Sequence, residues 1–188
     1  MKRISIFVSG NGTNLQRIAE YFQDRDDVKI VNVVCNNPKA YSIERAKNLN
    51  IPLRMITKAD FNSQAFVDEM KGLDLDLIVL AGFLWKIPEA LVKAFPKKII
   101  NIHPALLPKY GGKGFYGEHV HEAVVKAKEP VSGITIHYVD EVYDNGETIF
   151  QATVALDENE TPDSLAAKIH ILEQQNFPCV IESVLFKS

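Results

Sequence analysis

Asn101-Ile102-His103-Pro104-Ala105-Leu106-Leu107-Pro108 directly follows the strand-like run Lys97-Lys98-Ile99-Ile100, and this junction governs how the rest of the chain reads. If the strand carries on through His103, its two-residue period turns Asn101 and His103 to the same face. An asparagine amide is both donor and acceptor, and an imidazole polarises a carbonyl or moves a proton near neutral pH. Two prolines then stop the strand and stiffen its exit. Two readings stay open at this point: a strand end with a satisfied histidine, or a pair of groups placed for chemistry.

Working back from this junction, strand-like and helix-like runs alternate. Ile4 to Val8 is a short apolar run ended by Ser9-Gly10-Asn11-Gly12, after which Leu15, Ile18, Ala19 and Phe22 recur at helical spacing. Val28 to Cys35 reads as a valine-rich strand, Ser42 to Asn48 as a helix and Ile51 to Ile56 as a short third strand. Ala65 to Met70 belongs to another helix, and Leu75 to Leu80 is nearly all apolar, as in a strand covered on both faces. Pro88 starts a helix through Phe95. This order predicts an α/β fold: a Rossmann-like, mostly parallel twisted sheet flanked by helices.

Beyond Pro108 the texture changes. Tyr110 to Gly117 is glycine-rich and expected to be mobile, and His119 to Lys128 reads as a helix. Ser132 to Val139 and Thr148 to Leu156 are strands joined by an acidic turn, which predicts an antiparallel C-terminal strand pair. Thr161-Pro162-Asp163 suits a helix start: a hydroxyl cap, a proline in the first turn and an acid beside it. Without a repeat or a linker, 188 residues fit one domain.

Composition excludes several classes. A net charge of −3 leaves no footprint for nucleic acid. The longest apolar stretch, Leu77 to Trp85, is too short to span a bilayer. Met1-Lys2-Arg3 before Ile4 to Val8 imitates a signal peptide, but its apolar part is too short and runs into Gly10-Asn11-Gly12. Cys35 and Cys179 fit neither a disulfide framework nor a zinc spacing, and both read as buried free thiols of a cytoplasmic protein. His119 and His121 stand two apart on a helix and point to different sides, and no carboxylate partner completes a metal spacing, so no metal is expected there. His137 alternates within a strand and reads as structural.

Ser9 to Asn14 joins the first strand to the first helix, where glycines allow a tight turn and the helix N-terminus offers free amides to an anion. The dinucleotide fingerprint fails, because Leu15 occupies the third glycine position and Asn36-Asn37 stands where a ribose-binding acid would. An ordinary turn and a monophosphate site both remain open. The same holds for Asp144-Asn145-Gly146, which would also serve as a simple turn, and for Glu173, which would also serve as a solvated helix face.

The chain resembles the folate-dependent glycinamide ribonucleotide formyltransferase family. The matching pieces are Val8 to Leu15, Leu80-Ala81-Gly82-Phe83, Asn101 to Tyr110, Gly133 to Gly146 with Asp144, and Glu173. The Asn-x-His-Pro-x-Leu-Leu-Pro piece marks the wider formyltransferase group, and its combination with the first loop and Glu173 is more specific. The resemblance implies the formyltransferase fold, with residues 1–188 as a single catalytic domain. It implies formyl transfer from 10-formyltetrahydrofolate, a co-substrate, to the amine of 5-phosphoribosylglycinamide in purine biosynthesis. Asn101, His103 and Asp144 are then catalytic. Gly12, Thr13 and Asn14 hold the phosphate, Glu173 holds the glycinamide amine, and His170, one turn earlier, makes the neighbouring contact. Gln64, Leu84, Trp85, Lys86, Ile87, Asp140 and Glu141, together with Asn101 and Asp144, meet the folate.

Family members often carry an arginine at Trp85 and near Gln64, so the folate contacts differ here. The Gly111 to Gly117 loop is also longer than in many members. Expected partners are small molecules, not nucleic acid or membrane, for a cytoplasmic monomer or weak homodimer. Rival readings are methionyl-tRNA formyltransferase, 10-formyltetrahydrofolate hydrolase and a catalytically silent nucleotide-binding module. The first usually adds a tRNA-binding domain after the catalytic one, and the second a regulatory domain before it. The chain's end at Ser188 and the immediate start of its first strand weigh against both.

Overall fold

β-branched and aliphatic runs build the strands of one sheet, and amphipathic segments between them build its covers. The computed structural model describes residues 1–187. The first half runs β1 (Lys2–Val8), α1 (Thr13–Phe22), β2 (Val28–Cys35), α2 (Ser42–Asn48), β3 (Leu53–Met55), α3 (Lys58–Phe61), α4 (Gln64–Gly72) and β4 (Leu77–Leu80). The second half runs α5 (Glu89–Ala94), β5 (Ile99–His103), α6 (Glu118–Lys126), β6 (Val131–Tyr138), β7 (Thr148–Ala155) and α7 (Pro162–Leu185).

The seven strands lie in the order β3-β2-β1-β4-β5-β6-β7. Pairings among β1 to β5 are parallel, whereas β6 is antiparallel to both β5 and β7. Alternation along β1 divides the core between two faces. Ile4, Ile6 and Val8 pack with Leu15, Ile18, Ile169, Phe177 and Ile181 on one side. Phe7 packs on the other with Phe61, Phe66, Met70 and Leu91. Phe7, Phe61, Phe66 and Phe83 meet edge to face at 5.3–6.4 Å, a favoured geometry for aromatic rings. Trp85 extends this cluster outward, 5.8 Å from Phe61.

Several expectations need adjustment. β3 is only Leu53–Met55, and β4 begins at Leu77 because Asp74 takes a left-handed turn just before it. The short helix α3 was not predicted; a capping box closed by Thr57 and Asp60 stabilises it. Cys179 is exposed while Cys35 is buried, because Phe177, Val180, Ile181 and Leu185 set the inner face of α7. Thr161 caps α7 as expected, in a capping box with Ser164. Pro178 sits inside that helix and cannot donate to the Gln174 carbonyl, which instead accepts from Arg17 Nε at 3.3 Å. Among the described residues no helix is long and apolar enough to cross a membrane.

From β1 the chain moves to β2 on one side and returns as β4 on the other, so a crevice opens at the carboxyl ends of β1 and β4. Open α/β sheets bind ligands at such a reversal.

Candidate active site

The crevice is a cavity of about 530 Å³. Its walls are Gly10–Asn14 after β1, Leu80–Ile87 after β4, Asn101–Pro104 at the end of β5 and Gly112–Gly117 before α6. His121, His137, Asp140, Val142, Tyr143 and Asp144 complete one side, and Ala166, Ile169, His170 and Glu173 of α7 the other. Leu84 N–H donates to Ser9 Oγ at 2.9 Å, which joins the first two walls.

Gly12 makes the first loop possible. It stands at φ 78°, and a Cβ there would lie 2.6 Å from Ser42 Cβ, so only glycine fits. No side chain caps α1, which leaves its first amides free to meet an anion. Arg45 braces the loop from outside, donating through Nε to the Asn11 carbonyl and through an Nη to Asn11 Oδ1, each at 2.9 Å. Asn14 spends its side chain on Glu173 Oε2 at 2.9 Å, so its backbone amide is what remains for a phosphate. His170 Nδ1 lies 3.8 Å from the same Glu173 oxygen, and that carboxylate raises the imidazole above its ordinary value despite partial burial.

β5 does continue through His103. The antiparallel register sets His137 directly opposite Asn101, on the same face of the sheet. His137 Nδ1 donates to the Tyr138 carbonyl at 2.9 Å, which leaves Nε2 to accept from Asn101 Nδ2 at 3.2 Å. The second N–H of the Asn101 amide is thereby held in a fixed direction. His137 lines the cavity as well as holding Asn101 and the β6 backbone, a placement strand alternation alone could not give because it carries no register between β5 and β6.

His103 is 4% exposed and donates through Nε2 to the Tyr110 carbonyl at 2.7 Å. Its Nδ1 faces Asp144 Oδ2 at 3.7 Å, within ion-pair range but beyond hydrogen-bond length. Burial pushes His103 below the ordinary imidazole value, against the opposing pull of Asp144 and the Tyr110 carbonyl. The shift favours the neutral ring, whose one N–H is then the one Nε2 gives to Tyr110. Asp144 occupies a left-handed turn (φ 53°) between β6 and β7. Burial disfavours its charge, but His137 (Nε2 3.6 Å from Oδ1) and His103, once protonated, together with the Gly112 amide (2.9 Å), hold the carboxyl below its usual value.

Of the residues expected to meet the folate, Leu84, Trp85, Lys86, Ile87 and Asp140 line the cavity. Gln64 and Glu141 stand outside it; the Gln64 amide donates to Asp68 at 2.9 Å. Lys58 lies over the Trp85 ring at 4.5 Å and Lys86 over Tyr143 at 5.8 Å. His121 is buried in the cavity wall with no partner for Nδ1, and burial lowers its basicity. Helical spacing already separated His121 from the exposed His119, but nothing in the sequence marked which of them turned inward. Arg45 carried no sequence signal either, and Tyr110 was marked only as the end of the Asn101 piece and the start of the glycine-rich loop. Among the described residues no group of three or more metal-ligating side chains converges.

A mostly parallel sheet with an Asn-His-Asp cluster at its carboxyl edge defines the class: residues 2–181 match the family described as Formyl transferase, and the chain belongs to it. Within that family its relatives share a narrower name. The chain is 40% identical over 175 residues to phosphoribosylglycinamide formyltransferase, chloroplastic, of Arabidopsis thaliana, covering 89% of this chain. It spans 60% of that plant protein's length. It is 35% identical to phosphoribosylglycinamide formyltransferase of Bacillus subtilis, covering 98% of this chain and 95% of the relative. The crystal structure of glycinamide ribonucleotide transformylase 1 from Geobacillus kaustophilus superposes with a TM-score of 0.88 at 36% identity, covering 98% of this chain and 99% of that one.

Proposed function

We propose that the chain, as a single catalytic unit over residues 1–188, transfers the formyl group of 10-formyltetrahydrofolate to the amine of 5-phosphoribosylglycinamide in purine biosynthesis. One observation carries this reading: a single cavity has the free amides of α1 at one wall and Asn101, His103 and Asp144 at another. A phosphate on Gly12, Thr13 and Asn14, with Glu173 and His170 beside it, directs the far end of a phosphorylated amine toward β5. The folate enters along Leu84 to Ile87 and Asp140.

The amine nitrogen attacks the formyl carbon and the carbonyl oxygen becomes an oxyanion. The Asn101 N–H not bound to His137 donates to that oxygen. The attacking nitrogen gives up a proton through water to the His103–Asp144 pair, and the imidazolium so formed donates to the oxyanion. Collapse breaks the bond from the formyl carbon to the folate nitrogen, which takes the proton back. The co-substrate is consumed rather than retained, and no metal takes part. Two unpaired cysteines suit the reducing cytoplasm. We expect a monomer or weak homodimer whose partners are these small molecules.

Turnover with both substrates is the test. Formation of the formylated amide in step with tetrahydrofolate supports the assignment. Release of formate without the amide would favour the hydrolase reading, and no reaction of the folate would favour the silent module.

A further inference from the structure

Tyr110 is a bulky residue in the left-handed region, at φ 55°. A non-glycine residue there is disfavoured unless its surroundings hold it. Here the Tyr110 phenol donates to Glu129 Oε1 at 2.8 Å, and Lys109 Nζ pairs with the same oxygen at 3.0 Å. The ring also meets Phe115 edge-on, with centroids 6.1 Å apart. The outcome of this clamp is that the Tyr110 carbonyl faces inward and takes the Nε2 proton of His103 at 2.7 Å.

A neutral imidazole has one N–H. Once it is given to Tyr110, Nδ1 is bare and faces the cavity and Asp144. We propose that Tyr110 and Glu129 are positioning residues that select Nδ1 as the working nitrogen of His103, through the phenol–carboxylate bond that holds the Tyr110 carbonyl in place. This rests on the formyl-transfer reading for its kinetic consequence, but not for the tautomer itself. Glu129 is not among the residues that line the main cavity. The charged and titratable groups facing His103 are Asp144 from the β6–β7 loop, His137 from β6, Glu173 from α7 and His121 from α6. The Tyr110 carbonyl favours the protonated ring, so losing it makes His103 harder to protonate.

The test compares Glu129→Ala, Tyr110→Phe and Glu129→Gln with the unaltered chain. Misplacing a reacting group by a fraction of an ångström to an ångström costs about 10- to 100-fold in rate, so Glu129→Ala and Tyr110→Phe should lose about 10-fold in kcat or more. KM for both substrates should stay within about twofold, since the loss falls on the chemical step. The kinetic pKa assigned to His103 should fall. Glu129→Gln, whose amide oxygen still accepts from the phenol, should recover most of the rate.

Heteronuclear NMR of the imidazole nitrogens reads the tautomer without any turnover. His103 should be Nε2-protonated in the unaltered chain and mixed in Glu129→Ala. An Nδ1-protonated His103 in the unaltered chain would overturn the proposal whatever the activity. So would a Glu129→Ala variant with unchanged kcat. A parallel loss of kcat, KM and thermal stability with tautomer and pH profile unmoved would leave Glu129 a structural residue only.

Discussion

Asn14 Nδ2 donates to Glu173 Oε2 over 2.9 Å, although 159 positions separate the two residues in the chain. The bond ties the first loop to the last helix, and both residues line the cavity. Gln174 adds to the tie, donating to Asn14 Oδ1 at 3.2 Å. The loop's backbone amides and the carboxylate of α7 are thus held at a fixed separation before any ligand arrives, which lowers the ordering cost of binding.

Glu173→Ala should raise KM for phosphoribosylglycinamide by about 10-fold, the scale of one lost charge-assisted hydrogen bond plus a loosened loop. KM for the folate should change little. Without the carboxylate beside it, His170 should titrate at a lower pH than in the unaltered chain. Steady-state kinetics against each substrate separates the two effects, and a larger rise in the folate KM would contradict the placement of Glu173.

Gly12→Ala and Gly10→Ala should behave differently although they are two residues apart. At Gly12 the left-handed backbone alone costs about 1–2 kcal/mol for an alanine, and the new methyl would collide with Ser42. At Gly10 a Cβ meets nothing within 4 Å. Thermal melts should show a lower Tm for Gly12→Ala only, together with a higher KM for the phosphorylated substrate. Equal melts for the two variants would contradict this account of the loop.

Stability should fall in two stages on acidification. Burial holds His103 and His121 below 6.5, the value they take in the unfolded chain, so the unfolded state takes up protons first as pH falls. Their contribution is complete above 6.5 and lost toward the folded values. Asp144, depressed below 3.8, contributes above 3.8 and loses that contribution as pH falls through its folded value. Denaturant unfolding at a series of pH values should show His121→Phe with a flatter first stage than the unaltered chain. An unchanged slope would contradict neutral burial of His121.

Much of this was legible from local pattern. Val28–Cys35 and Ser42–Asn48 coincide with β2 and α2 because a valine-rich run and helical spacing are local signals, as is the Thr161-Pro162 start of α7. Asn101 and His103 share a face for the same reason. What stayed hidden depends on partners far along the chain. His137 enters the site only through the register of β6 on β5, and Arg45 only because α2 passes beside the first loop. Cys179 looked buried among apolar neighbours, yet the face of a helix is set by residues three and four positions away. Trp85 and Gln64 were both expected on the folate side. The structure puts Trp85 in the cavity wall and Gln64 outside it.

The most direct test of the central claim, that Asn101, His103 and Asp144 act around one oxyanion, is single-turnover formyl transfer by His103→Ala and Asp144→Asn, each checked for an unchanged circular dichroism spectrum. Losing a group that stabilises such an intermediate costs on the order of 10²–10³ in rate, and each variant should slow by about that factor with both substrates still bound. A folded His103→Ala or Asp144→Asn protein that transfers the formyl group at near the unaltered rate would contradict the account.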